Sequence, residues 1–461
     1  MSKVFAGKGR DLPLGWRWTT MGDIAEVVGG GTPRTAEPAN FEGGDIPWVT
    51  PADLSGYTEK YISHGSRYIT HQGLESSSAR LLPAGSVLFT SRAPIGYVAI
   101  ARNPMATNQG FKSFLLRDGV SPEYVYWWLK GSKQLAESLA SGTTFLEISG
   151  ANAKKIPIPI APLNQQHKIV AEIEKQFSRL DEAVANVKRV KANLKRYKAA
   201  VLKAAIEGRL IPTEEELAHC EVRSYETGGQ RLAHILAERR SGWRGKGRYV
   251  ESISPDTNNL PELPKGWTWA TIDQISVVVR GASPRPAGDQ RYFGGYIPWI
   301  TVGPITCDGD VYLRSVPETV TEAGKERSRF IEPHTLLLTN SGATLGVPKI
   351  ALIGGCINDG VAALLEVDYP TKLYLLYFLR TLTDKLRGIN QGAAQPNLNT
   401  SIIKALVVPF PPVAEQHRIV AEIERRLSLV SEMEVQVDVN LQRANCFVQS
   451  ILQQGFSGRE R

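Results

Sequence analysis

The nine residues QHKIVAEIE (Gln166–Glu174) recur as QHRIVAEIE (Gln416–Glu424), 250 positions later in the chain, with a single Lys-to-Arg difference. Other short matches keep nearly the same offset: GWRW and GWTW begin at Gly15 and Gly266, and YVYWWLK and YLLYFLR begin at Tyr124 and Tyr374. A repeat of this length is far beyond the 20–50 residues of a solenoid. The sequence therefore indicates a tandem duplication of a domain-sized unit.

Each copy opens with roughly 150 residues of mixed pattern. Short apolar runs such as IPWVT, GSVLFT and GYVAIA predict strands between Gly/Pro turns. SPEYVYWWLK predicts a helix with Ser121 as N-cap and Pro122 at its first position. A proline-broken extended stretch follows, and a long helix comes after it. The predicted fold class is α+β: two tandem mixed α/β domains, each followed by a long helix, with the two long helices able to pack on each other.

The predicted segments are the first mixed domain (1–161), the first long helix (162–208), a polar linker with one short helix at Gln230–Arg240 (209–262), the second mixed domain (263–411) and the second long helix (412–461). Both long helices carry apolar residues at a seven-residue spacing, which is typical of helices packed side by side. Those positions are Ile173, Leu180, Val187, Leu194 and Val201 in the first helix, and Ile423, Val430, Val437, Ala444 and Ile451 in the second.

Charge also favours pairing of the two helices. Residues 165–210 hold eleven Lys/Arg and five Asp/Glu, a net charge of 11 − 5 = +6, whereas residues 415–461 hold six and seven, a net charge of 6 − 7 = −1. The basic block Lys188–Lys198 has no counterpart in the second helix. It is either a solvated face or a surface for the acidic helix, DNA or a partner.

Composition limits the classes of protein to which this chain can belong. The sequence has no run of 18 apolar residues and no secretory signal at its start, so we expect no membrane span and a cytoplasmic protein. Its four cysteines are scattered without a CxxC pair, which argues against a zinc site or a disulfide framework. The net charge of +8 suggests an anionic partner, most commonly nucleic acid.

No motif for catalysis is present. The sequence lacks a P-loop, a dinucleotide fingerprint and the [DN]PP[FY] motif of adenine methyltransferases. His167 and His417 repeat at equivalent positions, but no carboxylate or cysteine stands at metal-ligand spacing, so a structural role at the helix start is favoured over a metal or acid/base pair. The repeated tryptophans are favoured as core residues over base-stacking ones. They are Trp16, Trp18, Trp48, Trp267, Trp269 and Trp299.

Basic and amide side chains stand beside Gly/Pro-rich loops, and these loops differ between the copies although the framework is repeated. TSRAPIG in the first copy corresponds to TNSGATLG in the second, and SGTTFLEIS to QGAAQPNLN. Arginine reads guanine and Asn or Gln reads adenine in the major groove, so we expect the loops to read DNA. The candidates are Arg34, Thr35, Ser91, Arg92, Asn108, Gln109 and Lys112 in the first domain, and Arg280, Arg285, Asn340, Ser341 and Asn358 in the second.

The whole chain resembles the DNA-specificity subunits of type I restriction-modification systems. The resemblance rests on the phrases that open each long helix at Pro162 and Pro412, on VLKAAIEGRL and ILQQGFSG, which close them, and on the LPxGWxW, IPW and TNQGF-type elements. It implies that each mixed domain is a target recognition domain reading one half of a bipartite DNA sequence. It also implies that the two α/β domains are joined by two long antiparallel coiled-coil helices, which give the chain pseudo-two-fold symmetry and set the spacing.

The resemblance further implies that this subunit performs no chemistry and binds no cofactor. Two methylation subunits using S-adenosylmethionine for adenine N6 methylation, and restriction subunits using ATP and Mg²⁺, would be its partners besides double-stranded DNA. Two alternatives remain open at this point. They are a coiled-coil scaffold without DNA readout and a self-sufficient DNA modification enzyme.

Overall fold

The computed structural model describes residues 12–92, 94–142, 146–244, 247–389 and 397–457. Parts of the two divergent loops, residues 143–145 and 391–396, and the predicted helix end at 458–461 lie outside the described residues. The chain divides into two compact units. Unit 1 comprises residues 1–189 and 437–461, and unit 2 comprises residues 190–436.

Unit 1 contains three small sheets. Their orders are β2–β9–β6–β7–β4, β5–β3–β8 and the antiparallel pair β1–β10. The strands are β1 Arg17–Thr20, β2 Ala25–Gly29, β3 Ile46–Val49, β4 Tyr61–Ile62, β5 Arg67–Ile69, β6 Val87–Phe89, β7 Val98–Ala101, β8 Ala106–Thr107, β9 Lys112–Leu116 and β10 Pro157–Ile160. The predicted strands IPWVT, GSVLFT and GYVAIA are thus confirmed as β3, β6 and β7.

Short helices cover these sheets. They are α1 Met21–Ile24, α2 His71–Glu75, α3 Pro122–Gly131, α4 Lys133–Ser138 and α5 Gly150–Lys154, with 3-10 turns at Pro38–Asn40 and Pro51–Leu54. The predicted cap of α3 is confirmed, because the Ser121 hydroxyl accepts the backbone N–H of Tyr124 at 3.3 Å. Buried Tyr124, Trp128 and Phe114 form the centre of the core of this unit.

Helix α6 (Leu163–Ile206) begins in unit 1 and ends in unit 2, and the segment that follows it holds α7 (Glu214–Glu221) and α8 (Gly228–Ser241). The prediction of one short helix between the repeats was therefore incomplete. The TEEE stretch that the sequence analysis described as polar linker forms a capping box, in which the Thr213 hydroxyl accepts the Glu216 N–H at 3.2 Å and Glu216 accepts the Thr213 N–H at 2.7 Å. Its acidic residues start a helix because they stand at the positive end of the helix dipole.

Unit 2 repeats the arrangement of unit 1. Its sheets have the orders β12–β20–β17–β18–β14, β15–β13–β19–β16 and β11–β21. The strands are β11 Thr268–Thr271, β12 Val277–Arg280, β13 Phe293–Ile300, β14 Tyr312–Leu313, β15 Thr319–Val320, β16 Arg329–Ile331, β17 Thr335–Thr339, β18 Pro348–Ala351, β19 Gly355–Ile357, β20 Val361–Leu365 and β21 Val407–Phe410. The helices are α9 Ile272–Ile275, α10 Val302–Thr306, α11 Glu322–Glu326, α12 Tyr369–Ile389, α13 Thr400–Lys404 and α14 Val413–Gly455.

The long helices α6 and α14 run antiparallel. In unit 1 the end of α14 lies against the start of α6, since a Cβ on Gly455 would be 2.8 Å from the Ile173 side chain. In unit 2 the end of α6 lies against α14, and Lys198 Nζ is 2.6 Å from the Glu434 carboxylate. All ten predicted heptad residues are buried or half-buried. The Lys198–Glu434 pair also supports an acidic partner for the last residue of the basic block.

Trp48, Trp267 and Trp299 are buried, as predicted for core residues. Trp16, Trp18 and Trp269 are only half-buried. His167 and His417 are exposed near the starts of α6 and α14.

None of the described helices combines the length and apolar composition that a membrane crossing requires.

Candidate DNA interface

Four loop segments that are distant in sequence meet in unit 1. Gly31 donates its backbone N–H to the carbonyl of Thr107 at 2.9 Å, and Ser91 donates its N–H to the carbonyl of Gly110 at 2.7 Å. The N–H of Ile148 bonds back to the Ser91 carbonyl at 3.0 Å. We name this set of loops cluster 1 and define it as residues 30–35, 90–92, 107–112 and 146–148.

The turn at Asn108 lies at the centre of cluster 1. Asn108 Oδ1 accepts the backbone N–H of Gly110 at 2.9 Å, which closes an Asx turn. A Cβ on Gly30 would stand 2.0 Å from the Asn108 carbonyl oxygen, so only glycine fits at this close approach. The amide oxygen of Asn108 therefore has a structural role in the turn.

Cluster 1 contains three cations, which differ in exposure, and one anion. The Arg34 side chain is 85% exposed and lies 3.6 Å from Glu37. Glu147 lies between two other cations, 3.6 Å from Arg92 Nη1 and 3.6 Å from Lys112 Nζ. The structure thus brings Arg92 and Lys112, which are twenty residues apart in sequence, to one carboxylate that the sequence analysis did not include among the candidates.

The other candidates of cluster 1 are split between surface and core. Thr35 is exposed, and so is Gln109, whose amide oxygen accepts the Thr32 hydroxyl. Ser91 is fully buried, and its hydroxyl donates to the Gly110 carbonyl at 3.1 Å. In this structure Ser91 therefore has no exposed surface with which to contact DNA, and it holds two loops together.

Unit 2 repeats this convergence of loops. Gly281 donates its N–H to Val361 O at 2.9 Å, Asn340 donates its N–H to Gly360 O at 2.9 Å, and Leu398 N–H bonds to Asn340 O at 2.7 Å. Asn358 Oδ1 accepts the Gly360 N–H at 3.2 Å, in the same Asx turn. We define these loops as cluster 2, residues 281–286, 339–342, 357–361 and 397–398, together with Arg280.

The cations of cluster 2 gather around Asp359. The Nε of Arg280 donates to the Asp359 carbonyl at 2.7 Å, and Arg285 Nη2 lies 3.9 Å from its carboxylate. Ser283 donates its hydroxyl to Asp359 Oδ1 at 2.5 Å. Because the Arg285 side chain is 73% exposed, this pair is held weakly and its guanidinium is accessible.

The remaining two candidates of cluster 2 sit deeper. Asn340 is fully buried, and neither polar atom of its side chain has a hydrogen-bond partner among the described residues. Ser341 is half-buried and forms a β-bridge with Asn397. Asn340 thus stands where unit 1 has Ser91 but lacks the side-chain bond that Ser91 makes.

Sequence reasoning missed further cations beside cluster 2. Arg329, on the edge strand β16, donates to the Arg280 carbonyl at 3.2 Å. Arg291 and Arg327 lie over the Tyr292 ring, at 5.5 and 5.3 Å from its centroid. The run KERSR at 325–329 could have indicated Arg327 and Arg329 by its charge. Arg291 is paired with Asp289 at 2.6 Å.

The part of the chain that the structure describes contains no group of three or more His, Cys, Asp or Glu side chains placed to hold a metal ion. What the two clusters offer is recognition chemistry. Guanidinium, ammonium, hydroxyl and amide groups converge at the ends of strands, and they suit hydrogen bonding to phosphates and to base edges.

Comparison with known proteins agrees with this description. The family model of the type I restriction modification DNA specificity domain matches twice, at residues 13–196 and 264–432. The specificity subunit of the type I restriction enzyme MjaIX from Methanocaldococcus jannaschii is 43% identical over 181 residues, which cover 39% of this chain and 40% of that subunit. The chain thus matches less than half the length of that relative.

Longer matches extend over both repeats. The EcoBI specificity subunit of Escherichia coli is 22% identical over 461 residues, covering 96% of this chain and 86% of that one. The crystal structure of the HsdS subunit from Thermoanaerobacter tengcongensis has the same fold, with a TM-score of 0.60, 19% identity and 98% coverage of both chains. With two copies of the domain, each ending in a long helix, the chain belongs to the family of type I restriction-modification DNA specificity proteins.

Proposed function

We propose that this chain is the sequence-specific DNA-binding subunit of a type I restriction-modification complex. Clusters 1 and 2 each read one half of a bipartite target. The observation that carries this proposal is that the same framework contacts assemble both clusters, whereas the side chains they present differ. A scaffold without readout would not require loops that diverge on a repeated framework.

Charge supports contact with the DNA backbone. Exposed Arg34 in unit 1, and Arg285 with Arg329 in unit 2, are placed to neutralise phosphates and so to release counterions. Such contacts orient the protein on the duplex without reading sequence. Base reading then falls to the groups nearer the centre of each cluster.

The central groups differ between the clusters and support an asymmetric target. Cluster 1 offers Arg92 with Glu147, a cation that suits guanine and a carboxylate that can accept from cytosine N4. Cluster 2 offers the hydroxyl of half-buried Ser341 and the amide of exposed Asn397 near its centre, and an amide suits adenine. Two unlike half-sites are the expected result.

The proposal assigns the chemistry to partners. Two methylation subunits with S-adenosylmethionine would modify adenine N6, and restriction subunits with ATP and Mg²⁺ would cleave, while this chain binds no cofactor and acts in the cytoplasm. The repeated helices α6 and α14 would dock two copies of the methylation subunit, because a duplicated surface suits two copies of one partner.

Methylome sequencing of a host with and without the gene tests the proposal. The expected result is one bipartite, asymmetric adenine-methylated motif that disappears on deletion. An unchanged methylome in a host that holds active methylation subunits would contradict it. Turnover of labelled S-adenosylmethionine by the purified chain alone would instead favour a self-sufficient modification enzyme.

A further inference from the structure

The segment between the repeats covers one face of the second recognition domain. Gly228, at the start of α8, donates its N–H to the Gly266 carbonyl at 2.7 Å and lies so close to the strand below that a Cβ would stand 2.1 Å from the Phe410 oxygen. Leu232 of α8 is buried in the core of unit 2. Helices α7 and α8 are thus part of this domain's packing.

Ion pairs help to hold α7 and α8 in place, and two of them have counterparts in unit 1. The carboxylate of Glu214, whose side chain is 2% exposed, pairs with Arg418 at the start of α14. Arg231 of α8 pairs with Asp368, which precedes α12, at 3.0 Å. The segment therefore presents an anion to a cation on the long helix, and a cation to an anion on the recognition domain.

Unit 1 repeats both of these anchor residues. Lys168 is the counterpart of Arg418, and Asp118 is the counterpart of Asp368, each 250 positions earlier. Both side chains are exposed, and neither forms an ion pair with any residue in the described ranges. The two residues that pair with α7 and α8 in unit 2 thus have solvent-exposed counterparts in unit 1.

No other part of the described chain covers the surface around these two residues. Leu14 is 100% exposed and Leu163 is 43% exposed, while Pro162 is exposed although its counterpart Pro412 is buried. Ile160 is half-buried, whereas its counterpart Phe410 is fully buried. We name this surface face 1 and define it by Leu14, Asp118, Ile160, Pro162, Leu163 and Lys168.

We propose that face 1 is a docking site for a helical segment of a partner protein with the chemistry of α7 and α8. The segment would present a carboxylate to Lys168, an arginine or lysine to Asp118, and apolar side chains to Leu14 and Leu163. The helix pair of this chain cannot serve both faces, because Glu214 and Leu232 are already buried in unit 2. The charges of face 1, and the equivalent surface that α7 and α8 cover in unit 2, define the chemistry of the partner segment.

This inference concerns protein binding and does not depend on DNA readout. Lys168 and Asp118 lie outside clusters 1 and 2, so substitutions there leave the proposed DNA contacts in place. A DNA-binding assay on the same variants therefore separates a failure of the docking proposal from a failure of the proposed function.

The test uses the full chain and a fluorescent peptide of residues 209–244 as the probe. Peptide binding is measured by anisotropy at low salt, where ion pairs are least screened. Lys168→Glu and Asp118→Arg should each weaken binding about tenfold, because like charges then face each other. The matched controls Lys188→Glu and Glu182→Lys, on the exposed surface of α6 outside face 1, should bind as the wild type does.

A charge exchange makes the test specific. A peptide with Arg231→Glu should bind the Asp118→Arg chain about as well as the original peptide binds the wild type, because this exchange restores the opposite charges of the Arg231–Asp368 pair. Absence of peptide binding, equal binding by all chain variants, or no recovery in the exchanged pair would each overturn the proposal. The four substituted residues are exposed, so circular dichroism should show that every variant is folded.

Discussion

Gln166 Oε1 accepts the backbone N–H of Ser121 at 2.9 Å, which joins the start of the long helix α6 to the N-cap of α3. The amide of Gln166 also donates to the carbonyls of Gly119 and Ala161, at 3.1 and 2.8 Å. One buried side chain thus satisfies three backbone groups of the recognition domain. This is a structural reason for the first residue of the repeated nine-residue phrase.

We predict that Gln166→Ala destabilises unit 1 by about 2–3 kcal/mol, because three backbone groups lose their partner and two of the three hydrogen bonds are buried. Gln416→Ala is the matched control in unit 2. There the Thr371 N–H donates to the Asp368 carboxylate at 3.1 Å instead. Among the described residues, the Gln416 side chain makes one hydrogen bond, which it donates to Pro411 O at 2.9 Å. Its loss should cost about 1 kcal/mol. Urea unfolding of both variants measures the two losses of unfolding free energy. Equal losses in Gln166→Ala and Gln416→Ala would contradict the prediction.

We predict that the buried carboxyl group of Glu415 makes the folding stability depend on pH. Its carboxylate accepts the Glu214 N–H and the Trp267 indole N–H, each at 2.9 Å, but burial raises its pKa above the usual value. As pH rises from about 4.3, Glu415 ionises in the unfolded chain before it ionises in the folded one. Folding stability therefore falls with rising pH until the raised folded pKa is passed.

The variant Glu415→Gln should lack this loss. The free energy of unfolding of the wild type, minus that of the variant, should decrease as pH rises from about 4.3 and then become constant. Urea unfolding at several pH values between 4 and 8 measures it. A difference that is constant over the whole range would show that Glu415 ionises alike in the folded and unfolded chains. The pKa of Glu214 is lowered in the folded chain, so Glu214 acts in the opposite sense. Its contribution to folding stability is lost as pH falls below the usual pKa of a glutamate.

The arginines Arg34, Arg92, Arg280 and Arg285 are predicted to contact DNA. Substitution by alanine of an arginine that reads a base should weaken the free energy of DNA binding by about 1–3 kcal/mol and relax specificity at one position. An arginine that binds phosphate should weaken all sequences and reduce the salt slope by about one unit. Titrations at several salt concentrations distinguish these outcomes, with exposed Arg179→Ala on α6 as the control. Wild-type binding by all four variants would refute the assignment.

Half-site identity and half-site spacing should be separable. Exchange of residues 12–160 for those of a relative should change one half of the methylated motif and leave the gap alone. A matched seven-residue insertion in both α6 and α14 should change only the gap, because seven residues keep the heptad register. The added length of about 10 Å corresponds to roughly three base-pair steps. Methylome sequencing reads both outcomes, and an altered half after helix insertion would contradict this division of roles.

Much of the fold could be predicted because its signals are local. The seven-residue spacing and the absence of Pro and Gly predicted α6 and α14 to within a few residues, apart from the end of α14 at Gly455. Ser121 and Pro122 predicted the start of α3. Helix α7 was missed because a short acidic stretch carries little apolar periodicity, although the Thr213–Glu216 capping box is visible in the sequence.

The amino-acid sequence by itself determined the duplication, the alternation of strands and helices, and the residue types in the divergent loops, since each depends on neighbours along the chain. Only the tertiary structure decided which of those residues reach the surface. Ser91 and Arg92 are adjacent in sequence, yet Ser91 is fully buried against Gly110, whereas the Arg92 side chain is 38% exposed beside Glu147. That difference arises from contacts between segments about twenty to fifty-five residues apart, and no local pattern encodes them.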